Sequence, residues 1–219
     1  MLPFKALLLD LDGTLLDTAP DFISAIQHML QHRGLTPICD DELRNTVTNG
    51  SAGIINKAFN IEQDHQQFKT LQEEFLSLYY DNIANKTALF PGLKAVLDNC
   101  DSNSIAWGVV TNKPWKYTQA VLEQLGLAEQ VATTICPDHV SQPKPDPEGL
   151  LLACSELSIS PAECLYIGDH IRDIEAGRSA GMRTIAAGWG YIDKTERISD
   201  WQADWVVEDP HQLNALLFN

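Results

Sequence analysis

The sequence predicts an α/β protein: a doubly wound parallel sheet with an all-helical cap inserted after the first strand. Three observations lead there. Short apolar runs recur along the chain, beginning at residues 4–10, and a strand without a polar face is buried on both sides, as in a parallel sheet. Segments with helical apolar spacing alternate with these runs, which is the pattern of a doubly wound fold. One stretch, 17–86, breaks the alternation and carries helical patterns only.

The elements follow in order. Strands are expected at 4–10, 105–111, 131–135, 164–168, 184–187 and 205–207, and helices between them at 93–100, 115–125, 147–157, 171–180 and 212–218. Gly34, Gly126 and Gly181 each follow a helical pattern, where a C-cap glycine belongs. Inside 17–86 the helical patterns are 21–33, 41–47, 52–59 and 65–83. In the last of these Phe68, Leu71, Phe75, Leu78 and Tyr79 form one apolar stripe. Phe90-Pro91-Gly92 is a turn signal at the exit. The resulting division is a Rossmann-like core, 1–16 and 87–219, around a cap at 17–86.

Size and composition agree with that plan. At about 150 residues per domain, 219 residues make one domain with an insert. A hydrophobic fraction of 44% and a charged fraction of 21% are those of a soluble globular chain. The net charge of −15 repels phosphate backbones and anionic headgroups, so nucleic acid and membrane surfaces are excluded as partners. An anionic substrate must then be captured by a local cluster of donors containing at least one cation. The five cysteines are odd in number and scattered without a CxxC pair, which argues for a reducing compartment. The N-terminal apolar run ends in aspartates, unlike a signal peptide, and no apolar stretch approaches the roughly 18 residues of a membrane span. The expected location is the cytoplasm and the expected assembly a monomer or homodimer.

In an open α/β sheet ligands bind at the carboxyl ends of the strands. There the sequence puts Asp10-Leu11-Asp12-Gly13-Thr14, Thr111-Asn112-Lys113, Pro143-Lys144-Pro145 and Gly168-Asp169-His170, with Asp173 beyond. Carboxylates crowded at about 4 Å repel by roughly 4 kcal/mol per pair at an effective dielectric of 20, a cost that a divalent cation removes. Oxygen-only ligands favour Mg²⁺ over zinc or copper, and Mg²⁺ usually bridges to a substrate phosphate. Lys144 would add a second positive charge, with Thr111 and Asn112 as neutral donors to the phosphoryl oxygens. Asp10 at the strand end is suited to be a nucleophile forming an aspartyl-phosphate. Asp12, past the turn, is placed to protonate the leaving oxygen and then to deprotonate water. Gly13 permits the tight turn, and its amide is expected to face the phosphate.

LLLDLDGTLLDT, VVTNK, KPDP and GDHIRDIEAG, in that order, resemble the four signature motifs of the haloacid dehalogenase superfamily. The helical insert resembles its type 1 cap, and the similarity, from Leu7 to about Tyr191, is to the phosphoglycolate phosphatase-like branch. The resemblance implies Asp10 as nucleophile, Asp12 as general acid and base, Thr111 as phosphate-binding hydroxyl and Lys144 as charge-stabilising lysine. It implies a Mg²⁺ site on Asp10, Asp169, Asp173 and the backbone carbonyl of Asp12. His170 departs from the pattern, since many relatives carry Ser or Thr there. The presence of Asp12 and of the acidic motif separates the chain from true dehalogenases, and Lys57 lacks the surroundings of a phosphonoacetaldehyde hydrolase lysine. A sugar-phosphate mutase would use the same residues. A non-catalytic regulatory relative would have lost Asp10, Asp12 or Lys144, and all three are present.

The implied reaction is hydrolysis of a small anionic phosphorylated metabolite, with 2-phosphoglycolate as leading substrate. LLDTAPDFI and GWGYI are also similar to bacterial N-acetylmuramic acid 6-phosphate phosphatases, which makes that sugar phosphate the alternative. The loop around Asn49 and Gly50 is expected either as an ordinary connection or as a segment that meets substrate. His170 and Arg172 are candidate substrate contacts, with Arg44 and Lys57 as further cations for an anionic tail. Asp173 either supports the metal or caps its helix. Trp189-Gly190-Tyr191 is expected to serve packing or a subunit contact.

Overall fold

The computed structural model describes residues 3–193 and 195–219. Met1, Leu2 and Lys194 lie outside the described residues, so the core range 1–16 is seen from Pro3 onward. The chain opens with β1 (Ala6–Leu9), then β2 (Leu16–Asp17), α1 (Ala19–His32), α2 (Asp40–Thr46), α3 (Gly50–Phe59), α4 (Phe68–Asp81) and β3 (Ala88–Leu89). It continues as α5 (Leu93–Ser102), β4 (Ala106–Val110), α6 (Trp115–Gln124), β5 (Thr133–Ile135) and α7 (Glu148–Leu157). The last elements are β6 (Cys164–Gly168), α8 (Ile171–Ser179), β7 (Arg183–Ala187), β8 (Trp205–Val207) and α9 (Pro210–Phe218).

Six strands form one sheet in the order β5-β4-β1-β6-β7-β8, every pair parallel. β1 is central and fully buried. Its side chains alternate between two cores: Leu7 and Leu9 face one, shared with α5 and α9, while Ala6 and Leu8 face the other with Leu150, Ala153 and Tyr166. This two-sided burial is why the strand reads as an unbroken apolar run. The strand order reverses about β1, so the crevice at its carboxyl end is the place where a doubly wound sheet binds ligands.

Helices α1 to α4 fill the chain between β2 and β3. The first core runs on into them through Phe22, Ile26, Ile54 and Phe75, so cap and sheet share one apolar interior. The expected strand-free insert is framed by a feature that the periodicity does not reveal: β2 and β3 pair antiparallel, Leu16 with Leu89 and Asp17 with Ala88. Two-residue strands are too short to carry an alternation. Above that hairpin Asp21, 2% exposed, accepts from the Lys86 and Thr87 N–H groups at 2.9 and 3.0 Å and from the Thr87 hydroxyl at 2.6 Å. One carboxylate thus joins the two chain crossings. Gly34, Gly126 and Gly181 adopt the positive φ expected of them.

Candidate active site

The carboxyl ends of β1, β4 and β6 deliver the expected side chains to one place. Asp10 follows β1 and is 8% exposed. One of its oxygens accepts the Leu11 N–H at 2.7 Å and lies 3.0 Å from the Lys144 ammonium. Burial opposes its ionisation, but the Lys144 charge and the hydrogen bonds from Lys144, Leu11 and Thr111 prevail, and the carboxyl sits below the usual aspartate value. Asp10 is therefore an anion, the protonation state that a nucleophile requires.

Lys144 is itself buried and held on all sides. Its ammonium donates to Asp173 at 2.6 Å, the Tyr166 hydroxyl at 2.7 Å and the Val110 carbonyl at 3.0 Å. Burial works against the charge, and Asp10 and Asp173 overcome it, so the lysine stays protonated. Asn112 fixes the backbone beneath: its amide nitrogen donates to the Lys144 carbonyl and its oxygen accepts the Lys144 N–H, each at 3.0 Å. Asn112 also lines the cleft, with one of its two amide N–H groups spent on orienting Lys144.

Asp169 has no lysine of its own. It accepts from the Tyr191 N–H at 2.8 Å and the Thr14 hydroxyl at 3.2 Å. Burial, reinforced by Asp10 and Asp173, pushes its carboxyl up to about 8. Three buried carboxylates, Asp10, Asp169 and Asp173, offer ligand oxygens all within 4.8 Å of one another, against the single ammonium of Lys144. This all-oxygen, charge-deficient cluster fits a hard divalent cation. Asp173 is raised as well, by burial and Asp10 against Lys144. One of its oxygens faces Lys144 and Tyr166, and the other accepts the His170 N–H at 3.1 Å. Asp173 therefore both joins the cluster and caps α8.

Two glycines shape this corner. Gly13 has φ +83°, and a Cβ there would lie 2.1 Å from an Asp169 oxygen; one on Gly190 would lie 2.1 Å from the Asp169 Cβ. The Gly13 amide does not face the cleft as expected, because it donates to the Leu16 carbonyl at 3.0 Å. The Trp189-Gly190-Tyr191 segment does more than pack. Its indole donates to the Thr14 carbonyl at 3.0 Å, its amide holds Asp169, and the Tyr191 hydroxyl donates to Asp17 at 2.9 Å and accepts the Ala19 N–H at 2.8 Å.

Asp12 stands apart from the cluster, and both its oxygens meet the Lys113 ammonium. Lys113 was unassigned by sequence, although it stands in the VVTNK segment. It is 7% exposed and lies over the rings of Phe22 and Tyr79 at 4.6 and 4.8 Å, which themselves stack at 4.1 Å. Thr111, also buried, accepts the Lys113 N–H at 3.2 Å.

A cleft of about 350 Å³ opens over these groups. Its floor includes Asp10, Asp12, Thr111 and Asp169, and the cap supplies Thr48, Asn49, Gly50 and Ser51. The segment 48–51 thus faces the cleft. Arg172 lines the cleft also. His170 does not: its Nδ1 accepts the Arg172 N–H at 3.1 Å and caps α8. Burial and the Arg172 charge lower its pKa to about 4, so the ring is neutral and free to accept. It takes the capping part that Ser or Thr would play. Arg44 and Lys57 lie outside the cleft, paired with Asp17 at 2.9 Å and Glu42 at 2.7 Å.

Residues 7–187 match the family model of the haloacid dehalogenase-like hydrolases. The chain belongs to that family. The N-acetylmuramic acid 6-phosphate phosphatase of Pseudomonas putida is 44% identical over 213 residues, covering 97% of this chain and 96% of the relative. A phosphoglycolate phosphatase of Xanthomonas campestris is 40% identical over 95% of this chain and 94% of its own. Among solved structures, a predicted phosphoglycolate phosphatase from Haemophilus somnus 129pt superposes with a TM-score of 0.85 at 26% identity, over 99% of both chains. The chain is thereby placed among the phosphatases of its family. Among the described residues no helix is long and apolar enough to cross a membrane.

Proposed function

We propose that this phosphatase hydrolyses a sugar-sized phosphate monoester through an aspartyl-phosphate on Asp10, with N-acetylmuramic acid 6-phosphate as substrate. The observation that carries the chemistry is the pairing of Lys144 with Asp10 beside an uncompensated Asp169. Asp10, kept ionised, attacks phosphorus. Asp12, ion-paired with Lys113 in the free protein, takes up a proton from solvent when the anionic substrate binds; as the bond to the leaving oxygen breaks it gives that oxygen the proton, and it then takes one from the water that cleaves the aspartyl-phosphate. Lys144 offsets the charge of the phosphoryl group. Asp10, Asp169, Asp173 and the Asp12 carbonyl would hold Mg²⁺, which when bound supplies positive charge to the phosphoryl oxygens. Residues 17–86 act as the cap that excludes bulk water. The setting is the cytoplasm, with a monomer or homodimer as the working unit.

The substrate is read from the relatives and from the cleft. The Pseudomonas enzymes are 44% and 43% identical over nearly the whole chain. The cleft, at about 350 Å³, has the size of a sugar-binding pocket and exceeds what a two-carbon acid fills. 2-Phosphoglycolate is the second reading, supported by the Xanthomonas relative at 40% identity. Phosphate release from both compounds, with Mg²⁺, decides between them. A higher kcat/KM on N-acetylmuramic acid 6-phosphate supports the first reading, and a higher value on 2-phosphoglycolate replaces it with the second.

A further inference from the structure

The phosphoryl group has its own charge partners at the carboxyl end of β1. What holds the rest of the substrate is a separate matter of charge. The protein carries −15 overall, and the cleft floor adds Asp10, Asp12 and Asp169. A second anionic group on the substrate is repelled there unless a cation stands beside it.

Among the described residues two cations line the cleft, Lys113 and Arg172. Lys113 is already neutralised by Asp12 and buried against two aromatic faces. Arg172 is differently placed. It is half-buried, and among the described residues the only hydrogen bonds of its guanidinium run from one terminal nitrogen to Thr48, whose hydroxyl accepts at 3.1 Å and whose carbonyl accepts as well. The guanidinium makes no ion pair among the described residues. Its second terminal nitrogen and its Nε have no hydrogen-bond partner there. A guanidinium offers five N–H donors in a planar fork that matches a carboxylate bidentately.

We infer that Arg172 recognises a carboxylate on the leaving group and sets the specificity of the site for phosphate esters that bear one. The inference rests on the substrate readings given above, and it accounts for a property that the two share. N-Acetylmuramic acid 6-phosphate carries a lactyl ether carboxylate, and 2-phosphoglycolate carries its own. Both are therefore anionic at two ends, one for Lys144 and one for Arg172. Because Thr48 belongs to the cap and Arg172 to the helix after Asp169, the carboxylate binds where cap and core already touch. An ester lacking the carboxylate leaves the arginine charge unmatched.

The test compares two pairs of substrates that differ in the carboxylate. N-Acetylmuramic acid 6-phosphate is set against N-acetylglucosamine 6-phosphate, and 2-phosphoglycolate against 2-hydroxyethyl phosphate. The measured quantity is the ratio of kcat/KM within a pair, with Mg²⁺ present. Wild type is expected to favour the carboxylate-bearing member of at least one pair by tenfold or more. Arg172→Gln, which keeps a donor for Thr48 but no charge, is expected to cut that ratio at least tenfold. Arg172→Lys, which keeps the charge but not the fork, should retain only part of it. If Arg172→Gln slows both members equally, the arginine is only a clasp between cap and core, and the inference fails while the substrate readings stand. It fails likewise if the ratio does not move. If wild type turns over phosphate esters without any preference for a carboxylate, the substrate readings and the inference fall together.

Discussion

The Lys113 ammonium lies 3.0 and 3.1 Å from the two oxygens of Asp12, while Lys144 serves Asp10 and Asp173. Asp10 and Asp12 thus have separate lysines. Asp12 is kept out of the carboxylate cluster and held at the cleft, where in the proposed reaction a leaving oxygen or a water arrives. Lys113→Met keeps an unbranched chain in the Phe22–Tyr79 slot and removes the charge. General acid–base assistance contributes about 10²–10⁴-fold, and misorientation of Asp12 should forfeit about 10- to 100-fold of it in kcat. The loss should be larger for an alkyl phosphate than for p-nitrophenyl phosphate, whose leaving group departs without protonation. Steady-state rates on the two esters check this. Equal losses on both would refute a role through Asp12.

Asp169 makes the metal-free protein sensitive to pH. Its carboxyl is pushed from 3.8 to about 8 by burial and by its acidic neighbours. Between those values the folded form holds a proton that the unfolded chain has released. This group's contribution is fully present below the lower value, declines as pH rises, and is gone above about 8. A bound cation must displace the same proton. Mg²⁺ affinity, followed by calorimetric titration, should therefore climb by up to about tenfold per pH unit between pH 6 and 8 and level off beyond. An affinity independent of pH over that range would contradict the electrostatic account.

Asp21 ties the two chain crossings between core and cap through three hydrogen bonds. Asp21→Ala leaves the Lys86 and Thr87 N–H groups without their acceptor. Each lost partner costs about 1–3 kcal/mol when buried, and the Lys86 amide is nearer to water. A loss of about 2 kcal/mol is expected, or a fall of roughly 4–8 °C in Tm for a chain of this size. Thermal unfolding with and without the substitution measures it. A Tm unchanged within a degree would show that the hairpin alone secures the junction.

The parts legible in the sequence are those carried by local pattern. β1 announces itself because both its faces are buried, and the helices of the cap because their apolar stripes recur at helical spacing. Asp10, Lys144 and Asp169 could be named because each follows a strand in a recognisable motif. What escaped depends on contacts between distant segments. Nothing local tells that Lys113 meets Asp12 across a hundred residues, or that Tyr166, inside an apolar strand, turns its hydroxyl to Lys144. Gly13 is legible as a turn, yet its amide is taken by the Leu16 carbonyl, a backbone contact that a residue list does not contain. That His170 flanks the site is legible in the sequence, but not that its Nδ1 caps α8.

The central claim is that Asp10 takes up the phosphoryl group. Its most direct test is to quench the enzyme in acid during turnover with Mg²⁺ and to map the phosphorylated peptide by mass spectrometry. The account predicts a phosphoryl group on Asp10 and none in Asp10→Asn, whose turnover should fall by at least about a thousandfold. Turnover of Asp10→Asn within tenfold of wild type, or a phosphoryl group carried on another residue, would contradict it.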